Sequence, residues 1–150
     1  MAFDQTAPTA DAFARLRVEG YASLFGVEDL NGDVVQRGAF RDSIVAGNGA
    51  PLPMLLDHRA EPVGGWFYLA EDSRGLFVRG YVSSETKRGA EAVRLLEQGA
   101  IDGLSIGFIA RRSRPRPARG RDLLEIDLWE VSIVGVPMAP QARLRVVRTA

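Results

Sequence analysis

Apolar positions in this chain recur mainly at every second residue, in short runs separated by glycine, proline and acidic residues. That spacing belongs to half-buried β-strands. Leu16 to Phe25 reads as extended, with Val18, Tyr21 and Phe25 among its larger residues. Asp29-Leu30-Asn31-Gly32-Asp33 is turn chemistry, and the apolar pair Val34-Val35 follows it. Phe40 to Val45 predicts one or two helical turns, stopped by Gly47-Asn48-Gly49. Leu52 to Leu56 is a compact apolar run that closes at Asp57-His58-Arg59. Val63–Leu69 and Leu76–Val82 predict two strands joined by the polar turn Glu71-Asp72-Ser73-Arg74-Gly75. Over 86–99 the period lengthens to that of a helix. Ala92, Leu96 and Ala100 stand at i, i+4 and i+8, with Val93 beside them, and Gly99 lies where a C-terminal cap belongs. Leu104 to Ile109 alternates again, with Leu104, Ile106 and Phe108 on one face and Ser105, Gly107 and Ile109 on the other. The Arg- and Pro-rich segment 111–121 predicts a solvated loop, Leu123 to Val136 a long final strand, and the tail beyond Pro137 a short helix. Residues 1–14 lack periodicity and predict a flexible arm ahead of one domain over 15–150. Many strands with one substantial helix predict a mainly β, α+β fold. Its expected form is a mostly antiparallel barrel of about six or seven strands with helix 86–99 packed against it.

Composition narrows the functions open to such a domain. The 150 residues suffice for one ordinary domain, and an apolar share of 46% with 25% charged residues favours a folded chain over a disordered one. The formal net charge is +0, which argues against a nucleic-acid partner held by the field of the whole domain. There is no cysteine, so disulfides, thiolate chemistry and cysteine-ligated metals are excluded. His58 is the single histidine, which excludes any site needing two within one chain. No metal or cofactor is expected. No apolar run approaches ~18 residues, and the N-terminus lacks the basic and apolar regions of a secretory signal. The expected setting is therefore the cytoplasm, away from membranes.

Gly103-Leu104-Ser105-Ile106-Gly107 matches G-x-S-x-G. A nucleophile elbow would need a strand-to-helix turn and a histidine after the serine. Here the strand pattern continues and no histidine follows, so an α/β-hydrolase is rejected while Ser105 is kept as a candidate nucleophile. Gly107, two residues along, is expected to leave room for a substrate backbone. An imidazole is the usual general base near neutral pH, which makes His58 the partner of choice. Taken alone, each residue has an ordinary alternative: a strand serine between packing glycines, and a histidine capping a strand end. A third group fixes the imidazole in such pairs. The acidic candidates are Asp57, Asp102, Asp127 and Glu130. Glu130 stands inside the apolar strand 128–134, on the face of Leu128, Ser132 and Val134, opposite Trp129, Val131 and Ile133. A carboxylate there either faces solvent or has a partner such as His58. Asp57 alternates to the strand face opposite His58 and is the weaker choice. Asp29, Asn31 and Asp33 resemble the start of a calcium loop, but the glycine is misplaced and Phe40 stands where the last ligand belongs, so a turn is expected. The basic segment 111–121 lacks interleaved aromatics and is read as a solvated hairpin loop.

Seven pieces in order carry a resemblance. They are Gly20–Phe25; Asp29–Phe40; Pro53-Met54-Leu55-Leu56-Asp57-His58 with Pro62-Val63-Gly64; Gly75-Leu76; Leu95–Ala100; Gly103–Phe108; and Leu128–Val134 before Pro137. Over roughly 16–145 the chain resembles the caudoviral prohead (capsid maturation) serine proteases, which are similar in fold to the herpesvirus maturation protease, assemblin. The resemblance places the family's histidine on His58 and its serine on Ser105. Its third member, a second histidine in assemblin, falls in the strand of Glu130, so a Ser105-His58-Glu130 arrangement is expected. The resemblance implies a serine endopeptidase acting through an acyl-enzyme on the scaffold segment of the major capsid protein, on internal procapsid proteins and on itself. It further implies activity tied to assembly inside a procapsid in the host cytoplasm, a plausible homodimer, and a phage, prophage or gene transfer agent source. Oxyanion donors are expected from the Pro137–Ala142 turn, with help from Arg143. Pro137-Met138-Ala139-Pro140 departs from the family's Pro-Ala-Asn-Pro-like turn. The alternative of another class is a non-catalytic assembly or scaffolding module that keeps the fold. The short arm and abrupt C-terminus are expected to leave little beyond the catalytic domain.

Overall fold

The computed structural model describes residues 15–47 and 51–148. The expected arm over 1–14 lies outside the described residues. Among the described residues there are eight strands and two helices. They are β1 (Arg15–Leu24), β2 (Val34–Val35), α1 (Arg41–Gly47), β3 (Leu52–Leu56), β4 (Gly64–Glu71), β5 (Gly75–Ser83), α2 (Lys87–Glu97), β6 (Gly103–Pro115), β7 (Arg121–Val134) and β8 (Leu144–Val147). The strands form one sheet in the order β2-β7-β3-β4-β5-β1-β8, with β6 paired along the other edge of β7. The expected barrel does not close. Between β8 and β6 only an isolated bridge, Gly103↔Arg143, spans the gap, so the sheet is open. Pairing is mostly antiparallel, but β2 and β3 both run parallel to β7.

The core is one cluster in which Val18, Met54, Trp66, Val78, Leu104 and Ile133, from six of these strands, are fully buried. Trp66 Nε1 donates to the Val131 carbonyl at 3.0 Å, so the polar edge of the largest core ring is satisfied. The expected helix 86–99 is α2. Thr86 caps it by accepting from Gly89 N–H, and Gly99 takes the left-handed φ of +71° just past its end. Its Ala92, Val93 and Leu96 face the core.

Three sequence expectations fail here for identifiable reasons. The segment 111–121 is only partly a loop, because β6 runs on to Pro115 and β7 starts at Arg121. Its arginines are matched across the ladder by acids: Arg112 Nε to Glu125 at 2.8 Å, and Arg114 to Asp122 at 3.3 Å. Among the described residues, which run to Arg148, the tail beyond Pro137 forms no helix. It turns and then pairs with β1 as β8. The face assignment of β7 also breaks at one residue. Gly107 opposes Glu130 and Phe108 opposes Leu128, so Trp129 is the extra residue of a bulge. Trp129 is therefore exposed while Val131 and Ile133, its expected face-mates, are buried.

Candidate active site

Three neighbouring strands bring the chemistry together. β6 supplies Ser105, β7 supplies Glu130 and Ser132, and the end of β3 supplies His58. Ser105 pairs directly with Ser132, and Leu56 pairs with Ile133. At the end of β3 the backbone leaves the strand. Asp57 and His58 take left-handed φ values of 52° and 60°. Non-glycine residues seldom adopt this conformation, and such outliers gather at functional sites. The turn is held by Asp57 N–H donating to the Ile133 carbonyl at 2.9 Å and His58 N–H donating to Ser132 Oγ at 2.9 Å. It carries the imidazole back over β7 towards β6.

The imidazole lies between an acid and a hydroxyl. Its Nδ1 is 2.5 Å from Glu130 Oε2, and its Nε2 is 3.2 Å from Ser105 Oγ. A carboxylate only accepts, so Nδ1 bears the proton and donates to Glu130. Nε2 is then the acceptor facing the Ser105 hydroxyl. The His58 side chain is 44% exposed, whereas that of Glu130 is 13% exposed. The base is thus open to solvent and the acid largely shielded. Ser132 Oγ donates to the other carboxylate oxygen, Oε1, at 2.8 Å.

The remaining acidic candidates stand elsewhere. Asp102 accepts from Arg143 Nη1 at 2.8 Å. Asp127 accepts from Trp129 Nε1 at 3.2 Å. Asp57 is exposed, and the alternation used to set it aside does not apply, because both Asp57 and His58 have left the strand geometry. Gly107 also has a different neighbour from the one expected. A Cβ there would lie 2.1 Å from Glu130 Oε2, so the missing side chain leaves room for the carboxylate.

A cavity of about 230 Å³ opens beside Ser105 and His58, with Leu104, Phe108, Met138 and Ala139 in its walls. Asp29, Asn31, Asp33 and Arg121 also line it. Asp29 forms the expected turn by accepting from the Asn31 and Asp33 N–H groups, and burial pushes its carboxyl above the ordinary value. Asp33 is buried and held by Arg121, whose guanidinium is pushed up by that hydrogen bond. Among the described residues no group of acids and histidine is arranged to hold a metal ion. In the segment expected to supply oxyanion donors, Ala142 N–H is engaged with the Ala139 carbonyl, and the Arg143 side chain is tied to Pro140 O and Asp102. Ser132 was not singled out from the sequence. The available signal was a hydroxyl two residues from Glu130 on the same face of an apolar strand.

A mainly β sheet thus brings a hydroxyl, an imidazole and a carboxylate into line in the order that serine hydrolases use. The chain matches the model of the caudovirus prohead serine protease family over residues 3–150, and it belongs to that family. It is 33% identical over 135 residues to the prohead protease of Enterobacteria phage HK97, covering 87% of this chain. The chain spans 60% of the length of that relative. In fold it is similar to KSHV protease solved with a hexapeptide phosphonate inhibitor, with a TM-score of 0.61 and 16% identity over 90% of this chain and 66% of that one. It is also similar to varicella-zoster virus protease, with a TM-score of 0.57 and 17% identity over 90% of this chain and 65% of that one.

Proposed function

We propose that this chain is a serine endopeptidase of procapsid maturation, in which Ser105 is the nucleophile, His58 the general base and Glu130 the acid that orients it. The observation that carries this reading is the position of His58, with Glu130 on Nδ1 and Ser105 on Nε2. In the forward step Ser105 Oγ attacks the scissile carbonyl carbon while its proton passes to His58 Nε2. The tetrahedral intermediate collapses as the same proton goes to the leaving amine, giving the acyl-enzyme and the first product. Water then adds to the acyl carbon, again losing a proton to His58. Collapse returns that proton to Ser105 and releases the carboxylate product. Glu130 keeps Nε2 free of a proton before attack and stabilises the imidazolium between the two transfers.

The substrates we infer are the scaffold segment of the major capsid protein, other internal procapsid proteins and the protease itself, cleaved inside the assembling particle. The setting is the procapsid in the host cytoplasm, and a homodimer is the proposed state. The experiment is co-expression of this chain with the capsid protein of its own particle, wild type against Ser105→Ala, read by intact mass. The expected result is a shortened capsid protein with the wild type and a full-length one with Ser105→Ala. Full-length capsid protein in both, with particle assembly still dependent on the chain, would instead mark a non-catalytic assembly module.

A further inference from the structure

We propose that Ser132 is a positioning residue that locks both ends of the His58–Glu130 pair; this rests on the reading of Ser105, His58 and Glu130 as the reacting unit. Ser132 is 0% exposed, so its hydroxyl is shielded from bulk water. That one oxygen does two things. It donates to Glu130 Oε1 at 2.8 Å and accepts from His58 N–H at 2.9 Å. The first bond holds the carboxylate so that Oε2 faces the imidazole Nδ1. The second holds the main chain of His58 in its left-handed turn, from which the ring projects over β7.

The position of Ser132 in the sheet gives this arrangement its reach. It pairs with Ser105 on β6, while its neighbour Ile133 pairs with Leu56 and accepts from Asp57 N–H. Acid, imidazole main chain and nucleophile strand are thus all referred to one buried atom or its immediate backbone. Supporting hydrogen bonds of this kind fix rotamers that would otherwise sample several wells, and misplacement of about 1 Å costs a reacting group on the order of 10²-fold. A serine fits because its oxygen can donate and accept at once. Alanine at this position leaves the His58 N–H without a partner and Glu130 Oε1 with one donor fewer.

The test uses a peculiarity of this chain: it has one histidine and no cysteine. The Nδ1 proton resonance of His58 is therefore unique, and it reports the contact with Glu130 whether or not the protein turns over. We compare wild type with Ser132→Ala and Ser132→Cys. The thiol keeps the volume but bonds weakly, so it decides the question if the alanine variant fails to fold. The substrate is a peptide spanning the site identified by intact mass. The expected results are a lost or upfield-shifted low-field Nδ1 resonance and an acid limb of kcat/KM moved to lower pH, because a released carboxylate stabilises the imidazolium less. We expect kcat lower by about ten- to a hundredfold with KM unchanged. An unchanged resonance and acid limb in a folded variant overturns the proposal, whatever happens to the melting temperature or kcat. Persistent cleavage by Ser105→Ala would instead overturn the catalytic reading, and the resonance would still decide whether Ser132 holds the pair.

Discussion

At the scale of single residues, the strongest sequence signals were scarcity and misplacement. His58 was legible because it has no rival, and Glu130 because a carboxylate inside Leu128–Val134 needs a reason to be there. Ser132 was harder to read, since its place two residues from Glu130 on one strand face gains meaning only once its partners are known. The same limit applied to Gly107, whose neighbour is a side chain remote in sequence. Two predictions belong at this scale. Glu130→Gln is expected to keep the fold and lower single-turnover acylation by about 10²–10⁴-fold, as when a triad acid is neutralised, while Asp57→Asn and Asp102→Asn stay near wild type. Full activity in Glu130→Gln with loss in either aspartate variant would name another acid. Gly107→Ala puts a methyl where Glu130 Oε2 stands. Displacing that carboxylate is expected to lower kcat by about 10–100-fold at an unchanged KM, measured on the same peptide substrate.

At the scale of elements, alternation and turn chemistry placed β1, β3, β4, β5 and α2 within a few residues of their observed ends. The failures share one cause: contacts between segments overrode local pattern. Arginines in 111–115 look like loop residues until Asp122 and Glu125 lie across from them, and the bulge at Trp129 exists only relative to β6. The β4–β5 turn offers a test of local chemistry. Asp72 accepts from the Arg74 and Gly75 N–H groups and from the Tyr21 hydroxyl. The Tyr21 hydrogen bond, the largest cause, holds the Asp72 carboxyl below its ordinary value of 3.8. A carboxyl depressed in the folded state adds stability that is full above the unfolded value and is lost as pH falls through the folded one. Asp72→Ala is therefore expected to lower the melting temperature at pH 7, by no more than about 1 kcal/mol in stability because the group is exposed. The gap should shrink as the pH drops below about 4. A gap independent of pH would show that the ionised carboxylate is not what holds the turn.

At the scale of the whole molecule, the mainly β fold and its ties to the prohead protease family were legible from motif order, whereas the open edge of the sheet was not. The opening lies between β6 and β8, and the four residues of β8 after a proline-rich turn give too short a pattern to read as a strand. In place of a full ladder, Leu104 N–H bonds to the Ala142 carbonyl and Leu144 N–H to the Asp102 carbonyl. These two bonds brace the start of β6 immediately before the nucleophile. The whole fold thus converges on the alignment of Ser105 with His58, and that alignment is tested most directly by covalent trapping. The chain, treated with an electrophilic peptidyl phosphonate ester, is digested and the adduct mapped by mass spectrometry. The expected result is a single adduct on Ser105, absent in Ser105→Ala and formed at least about 100-fold more slowly in His58→Ala. An adduct on a different serine, or an undiminished rate in His58→Ala, would contradict the assignment of nucleophile and base.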